Sequence, residues 1–285
     1  MSASSNKASI VIRDIEAGPE MHAVELLQKE VWGVPDLDVV PSTHLVAAKA
    51  AGGVLLGAFH GKTLVGFVYG FPSYEYGQLA HHSHMLAVKP EFRSLHLGHE
   101  LKLAQRERVL EQGSRVITWT FDPLQSLNAY FNLNKLGAIA DRYLPNFYGE
   151  DATSFLHQNG TDRLWVSWLL TSPHVKERIA ANAVAGPVAS GFALVQFSED
   201  GSPLLNDFGE AFSHGQILID IPGQINVLQK QSFELAVQWR ESTRRAFTEA
   251  LAAGYLVSDF IRRSSGGQTF GSYVLTRDRP ISDYL

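Results

Sequence analysis

The sequence predicts an α/β fold of the α+β kind: a mixed sheet with helices on both faces, followed by a smaller C-terminal β-α-β-β unit. Three observations predict it. Apolar or alternating runs of strand length recur at 53–60, 63–72, 82–88 and 116–121. Stretches with helical spacing of apolar residues, opening at Pro19 and Gly98, are interleaved with them, so the two kinds of element must pack in layers. Near Ser172 the pattern gives way to a segment rich in Ala, Gly and Pro, and beyond Gly191 it restarts.

In chain order, residues 9–15 alternate as a half-buried strand does. Pro19 opens a helix whose apolar stripe is Met21, Val24, Leu26, Leu27 and Val31, and Gly33-Val34-Pro35 ends it. A polar-apolar segment lies around 42–49. Strands 53–60 and 63–72 join at His60-Gly61-Lys62, which reads as a hairpin turn. Strand 82–88 follows, stopped by Pro90, and the turn from Arg93 leads into a helix over 98–112. Strand Val116–Phe121 ends at Asp122-Pro123, a helix over 128–136 is closed by Gly137, and strands are expected at 139–148 and 163–170. A boundary near Ser172 divides the chain into domains 8–171 and 172–285. The second begins with a short charged helix. Its strand 217–221 is closed by Pro222-Gly223, and one long helix covers 225–252 with Leu228, Phe233, Leu235, Val237, Trp239 and Phe247 as its buried positions. Gly254 ends that helix, and strands 255–261 and 269–276 pair around Ser264-Ser265-Gly266-Gly267. This order is that of a degenerate half-repeat of the first domain, but identity between the two is too low to establish one.

Composition narrows the function. With 285 residues, 45% of them hydrophobic, the chain can bury a large core. No apolar run reaches the roughly 18 residues of a membrane span, and the polar start through Lys7 lacks the apolar segment of a secretory signal, so a cytoplasmic protein that does not enter membranes is expected. There is no cysteine, which excludes disulfides, zinc-thiolate sites and cysteine nucleophiles. A net charge of −5 and the lack of a dense Lys/Arg run argue against nucleic acid as a partner.

The stretch from Met85 to Leu101 carries the most chemistry. A strand runs into a turn that opens a helix, and the first amides of such a helix have no partner within it, so they and the positive end of the dipole face whatever lies at the turn. Arg93 adds a forked cation, and Gly98 lets backbone approach a ligand with no Cβ in the way. The site suits a pyrophosphate. An ordinary nucleotide-phosphate loop is not supported, because neither G-x-x-x-x-G-K-[ST] nor G-x-G-x-x-G occurs.

Val88-x-Pro90 followed by Arg93-Ser94-Leu95-His96-Leu97-Gly98 resembles the phosphate loop of the Gcn5-related N-acetyltransferase (GNAT) superfamily, with His96 standing where that family usually has its first glycine. Asn128-Ala129-Tyr130-Phe131 and Lys135-Leu136-Gly137-Ala138 resemble the helix that in the family packs beside coenzyme A. Tyr143-x-x-Asn146-x-Tyr148-Gly149, together with the motifs around Trp119, Arg163 and Trp239, is similar to one branch of about this length with a C-terminal extension. The resemblance implies a mainly antiparallel sheet over 8–171. It also implies an acyl-CoA co-substrate, most simply acetyl-CoA, an amine acceptor, and a monomer or homodimer. By the same resemblance, Leu86, Ala87 and Val88 bind the acyl and pantetheine portions, Arg93 through His99 bind pyrophosphate, and Asn128 and Phe131 hold the arm. The tyrosine that commonly protonates the departing thiolate is replaced by Leu133.

Each of these residues also has a plain structural reading. Leu86 to Val88 fit core strand, and Asn128 either bonds the arm or caps its helix. His81, His82 and His84 stand at or before a strand, with His82 and His84 on one face. An H-x-H pair without a third ligand is insufficient for a metal, and none is expected. His84 is the better base, since an imidazole titrates near working pH. Glu30 and Asp122 are the other candidate bases, read otherwise as solvated carboxylates, and Tyr143 and Tyr148 are candidate acids, read otherwise as packing aromatics. Arg240 and Arg244 form a basic helix face that is either salt-bridged or a recognition surface for an acceptor carboxylate. The expected function is direct acyl transfer to an amine, since no cysteine or G-x-S-x-G serine can carry the acyl group. The alternative is a non-catalytic acyl-CoA-binding or regulatory module.

Overall fold

The computed structural model describes residues 10–16, 18–149, 159–181, 191–265, 268–277 and 281. Two compact units divide the chain, the first running to Trp119 and the second beginning at Thr120. Residue 9 of the first expected strand, the Ala/Gly/Pro-rich segment 182–190, and Gly266 and Gly267 lie outside the described residues.

In the first unit, β1 (Ile10–Asp14), α1 (Pro19–Trp32) and α2 (Ser42–Ala50) lead into β2 (Val54–His60), β3 (Thr63–Glu75) and β4 (Gln78–Val88). Then come α3 (Leu97–Glu111) and β5 (Val116–Phe121), the strand on which the first unit ends. The strand order is β1-β2-β3-β4-β5, antiparallel throughout except for the parallel pair β4/β5. Alternation, or full burial where both faces are covered, makes these runs strands. β2 is buried along nearly its whole length, and the core collects Met21, Val24 and Leu27 of α1 with Leu45, Leu55, Phe59, Phe67 and Tyr69. Full burial of each such side chain stabilises by about 1.5–3 kcal/mol. Gln28 fastens the connection between α1 and α2, its amide accepting from Val40 N at 2.8 Å and donating to Val40 O at 3.1 Å.

The polar-apolar segment 42–49 is a helix. Two expectations are corrected. β4 begins at Gln78 instead of residue 82, because Tyr76 (φ 49°) and Gly77 (φ 74°) form a tight left-handed turn that lets β3 and β4 pair to their ends. The turn before α3 contains a 3-10 helix, Pro90–Leu95.

The second unit holds α4 (Ser126–Ala129), β6 (Ile139–Leu144), β7 (Arg163–Leu169), α5 (Pro173–Ala181), β8 (Phe192–Phe197) and β9 (Pro203–Leu205). It continues with α6 (Phe208–Ala211), β10 (Gln216–Pro222), α7 (Ile225–Gln231), α8 (Phe233–Ala252), β11 (Leu256–Ser265) and β12 (Gln268–Thr276). Its strand order is β7-β6-β11-β12-β10-β8-β9, with only β8/β10 parallel. The helix expected over 128–136 is instead α4 continued by a π-helix, Tyr130–Lys135, where Leu136 N bonds Phe131 O. The long helix expected over 225–252 is broken at Ser232, whose hydroxyl accepts from Leu235 N and caps α8. That break leaves Phe233 54% exposed, against expectation. The strand expected to Tyr148 ends at Leu144, and β8 and β9 had no counterpart in the sequence reading. Trp168, Trp239, Tyr255, Phe247, Phe260 and Tyr273 are its largest buried side chains. Among the described residues, no helix is long and apolar enough to cross a membrane.

Candidate acyl-coenzyme A site

β4 changes partners midway. Tyr69 pairs with Met85 and Gly70 with Ser83, so His84 is one residue more than β3 can match, a β-bulge. On the other edge, the parallel ladder to β5 consists of His81↔Ile117 and His82↔Thr118. From Ser83 to Val88 the described pairing is to β3, and every second amide of an antiparallel strand points away from its neighbour. Leu86, Ala87 and Val88 lie in this stretch, Ala87 buried and the other two half-buried.

After Val88 the chain turns through the 3-10 helix into His96, at φ 60° and ψ 20°. This is the left-handed region, where glycine is at ease, so the position at which the resembling family carries glycine adopts a glycine-like conformation here with a histidine. Leu95 and Leu97 are buried and pin the loop from within, while Arg93, Ser94 and His96 face solvent and Gly98 and His99 are half-buried. Arg93 Nε donates to Val88 O at 3.2 Å, tethering the guanidinium at the mouth of the loop. No side chain caps α3, and a Cβ built on Gly98 would meet only Leu86 Cδ2, at 3.8 Å. The fold itself thus has no steric need for glycine at 98. The uncapped amides and the helix dipole suit an anion.

His84 is exposed at the bulge, its ring 6.1 Å from that of Tyr69 and 5.8 Å from that of Phe71. Packing among these rings, and then the charge of His44, lower its pKa, so it is neutral at pH 7. His82 stands beside it, ring centroids 6.5 Å apart, and its Nδ1 lies 3.0 Å from Thr118 Oγ1. Burial brings its pKa down to about 4. His44, on α2, adds a third imidazole, its Nε2 3.0 Å from the Tyr69 hydroxyl. Among the described residues no group of three or more His, Asp or Glu is arranged to hold a metal ion. Glu30 is ion-paired with Lys89 at 2.7 Å.

On the opposite face of β4, Lys102 of α3 is buried, 3% exposed. Its Nζ donates to Ser83 Oγ at 3.0 Å and to Gln105 Oε1 at 3.1 Å, and lies 3.8 Å from the centroid of the Trp119 ring. Burial lowers its pKa to about 7. Next to it, burial first and then the charge of Lys102 bring the pKa of His81 to about 3. Neither Lys102 nor His44 was singled out in the sequence. Lys102 follows Gly98 by one turn on a line continuing through Gln105 and Val109, and that spacing was the available signal.

The other expected residues belong to the second unit. Asn128 is exposed inside the first turn of α4, not at its N-cap, so the capping alternative is removed; Phe131 is half-buried. Leu133 is fully buried. Asp122 accepts from Arg240 Nη1 at 2.8 Å. The Tyr143 hydroxyl donates to Asp162 Oδ2 at 2.7 Å, and burial together with that carboxylate pushes its pKa well above the usual phenol value. Tyr148 is 48% exposed. Arg240 is buried, its Nε donating to Asn159 O at 2.8 Å, and Arg244 grips both oxygens of Asp162 at 2.8 Å. Of the two readings of this helix face, the salt-bridged one describes it.

No curated protein matches this chain. Among solved structures it is similar to the ribosomal-protein-S18-alanine N-acetyltransferase from Escherichia coli, with 11% identity over 64% of this chain and 99% of that one, at a TM-score of 0.46. It is also similar to a GNAT family acetyltransferase from Elizabethkingia anophelis with acetyl-CoA bound, at 16% identity, 56% and 98% coverage and a TM-score of 0.45. A third is the aminoglycoside 6'-N-acetyltransferase from Enterococcus faecium, at 19% identity, 56% and 97% coverage and a TM-score of 0.43. The model of the acetyltransferase (GNAT) family matches residues 20–134, from the first helix through the turn before α3 to the π-turn.

Proposed function

We propose that this protein is an acyl-CoA-dependent N-acyltransferase, with acetyl-CoA as its donor, that passes the acyl group directly to an amine of a small-molecule or peptide acceptor. One observation supports it most. The uncapped start of α3 beside Arg93, the open position over Gly98 and the bulged half of β4 all occur in one unit. In this reading the amides of Leu97 and Gly98, with Arg93, Ser94 and His96, take the pyrophosphate, and the backbone of Leu86 to Val88 takes the arm and the thioester carbonyl. The acceptor nitrogen attacks the carbonyl carbon, the C–N bond forms, and the C–S bond breaks with its electron pair left on sulfur. His84, neutral at pH 7, takes the proton from the acceptor nitrogen. Positioning supplies most of the remainder. A second reading, an acyl-CoA-binding module without turnover, is supported by the buried, apolar Leu133.

Thermal unfolding with acetyl-CoA tests the donor site. At 100 times its dissociation constant a ligand adds about 2.7 kcal/mol to the folded state. That shift is expected in the wild type and is expected to be largely lost in Arg93→Ala and Gly98→Ala. Because a Cβ at 98 has room, the ligand-free Gly98→Ala protein should unfold no earlier than the wild type. Absence of any wild-type shift would refute the reading, and binding without transfer to any amine of a broad panel would leave the module.

A further inference from the structure

The cluster around Lys102 has no part in the mechanism so far. It sits at a telling place. Gly98 and Lys102 are four residues apart on α3, hence on one face of the helix. Gly98 faces Leu86, and Lys102 faces Ser83, the residue just past the last β4/β5 ladder pair. Five residues of strand separate Val88 from Ser83, about 17 Å, the order of length of an extended pantetheine arm. A donor with its phosphates at the start of α3 and its arm along β4 therefore brings its sulfur to the level of Ser83.

We propose that Lys102 is the proton source for the departing sulfur, and that the proton passes through the Ser83 hydroxyl. This rests on the acyltransferase reading above. As the C–S bond breaks, the electron pair stays on sulfur. Ser83 gives its hydroxyl proton to the sulfur and receives one from the Lys102 ammonium, leaving a neutral amine that recovers its proton from water after the thiol departs. The proton lost by the acceptor nitrogen goes to His84, so protons balance over the cycle. The hydroxyl now donates to Gln105 Oε1 at 2.8 Å while accepting from Lys102, and rotation about its C–O bond redirects it.

Burial is what makes the group suitable. An ammonium in a dry site is costly, and an apolar side chain of the same length would pack over Trp119 without that cost. The titratable group beside Lys102 on its own face of β4 is His81, with a pKa of about 3, and His82 on the other face, with a pKa of about 4, feels the charge of Lys102 only through space. Both are neutral at pH 7, where Lys102 itself, with a pKa of about 7, still holds a proton in half the molecules. Transfer from it to a thiolate whose thiol has a pKa of roughly 8.5 runs downhill.

The test compares wild type, Lys102→Met, Lys102→Arg and Ser83→Ala, following thiol release from acetyl-CoA with whichever amine of a broad panel supports turnover. Calorimetry measures acetyl-CoA binding alongside. Loss of a general acid costs about 100-fold or more. At pH 7, Lys102→Met and Ser83→Ala are expected to lose about that much kcat, with KM and acetyl-CoA affinity within about threefold of wild type. Lys102→Arg, which holds its proton too firmly, is not expected to rescue the rate. The deficit should narrow above pH 8.5, where a free thiolate leaves without help; a deficit constant across pH would mean a packing defect and overturn the proposal. Wild-type turnover with unimpaired Lys102→Met overturns this proposal alone, whereas wild-type binding without turnover, or no binding, overturns the acyltransferase reading with it. Ser83→Ala keeps the ammonium and its packing, so the question stays answerable if Lys102→Met fails to fold.

Discussion

Each unit buries a cation, and the two are treated oppositely. In the first, Lys102 rests on two neutral oxygens and an indole face, and burial lowers its pKa to about 7. In the second, Arg240 meets Asp122 and Arg244 meets Asp162, and both guanidinium groups are held more firmly protonated than usual; for Arg240 the neighbouring carboxylates outweigh its burial. The difference is one of solvation. A buried charge with a counter-charge is locked, whereas one whose burial outweighs its neighbours is ready to give up its proton. Neighbouring groups follow suit. Tyr143 and Asn146 both donate to Asp162, so the Tyr143-x-x-Asn146 motif that suggested chemistry serves here to seat a carboxylate under α8.

The largest expected effect is on the locked side. Arg240→Ala strands Asp122 beside the hole it leaves, and breaking a buried pair costs about 3–5 kcal/mol. Urea unfolding of Arg240→Ala, Asp122→Ala and the double variant should show the double to be less damaged than the sum of the singles; strict additivity would mean that the pair does not act as a unit.

A smaller effect is expected on the other side. Lys102 has a folded-state pKa of about 7, below the roughly 10.4 of an unfolded lysine, so the unfolded chain binds more protons between those values and stability rises with pH across that window. From pH 7 to pH 9 this amounts to about 2 kcal/mol. The rise should be smaller by that amount in Lys102→Met, and identical pH slopes in the two proteins would show that the lysine is not desolvated in solution.

The smallest concerns the loop. His96 holds a left-handed conformation that costs a side chain about 1 kcal/mol, so His96→Gly should raise stability by roughly 0.5–1 kcal/mol, less what the looser unfolded chain takes back. Chemical denaturation would measure it. A net loss would mean that the imidazole makes contacts worth more than the strain.

Local signals made the turn between β4 and α3 legible. Val88-x-Pro90 ends a strand, Arg93 and Gly98 flank a turn, and a helix must follow, all within a dozen residues. Lys102 was illegible for the opposite reason. A lysine in Leu101-Lys102-Leu103-Ala104 reads as solvated, and its neighbours His81 and Gln105 are seated against Gly70 of β3, where a Cβ would fall 2.3 Å from His81 Nε2 and 3.0 Å from Gln105 Nε2. The ion pairs of the second unit join residues 82 and 118 apart, beyond any local pattern. Ser232 did leave a signal, a serine followed two residues later by Glu234 in the first turn of α8, but the continuous apolar spacing on both sides masked it. The π-turn left none, because one extra residue in a helix alters no composition.

The bulge at His84 does more than bend a strand: it changes the reading frame of β4. Residues three apart on a regular strand lie on opposite faces, so Ser83 and Leu86 should look away from each other. With one residue inserted between them, odd positions before His84 and even positions after it share the face beneath α3. A deletion of His84 or Met85 would turn Leu86 and Val88 toward α1 and α2 while leaving His81 and Ser83 where they are. Leu86 beneath Gly98 and Ser83 beneath Lys102 are thus kept in phase by a single surplus residue, and a length change of one, in either direction, would uncouple them.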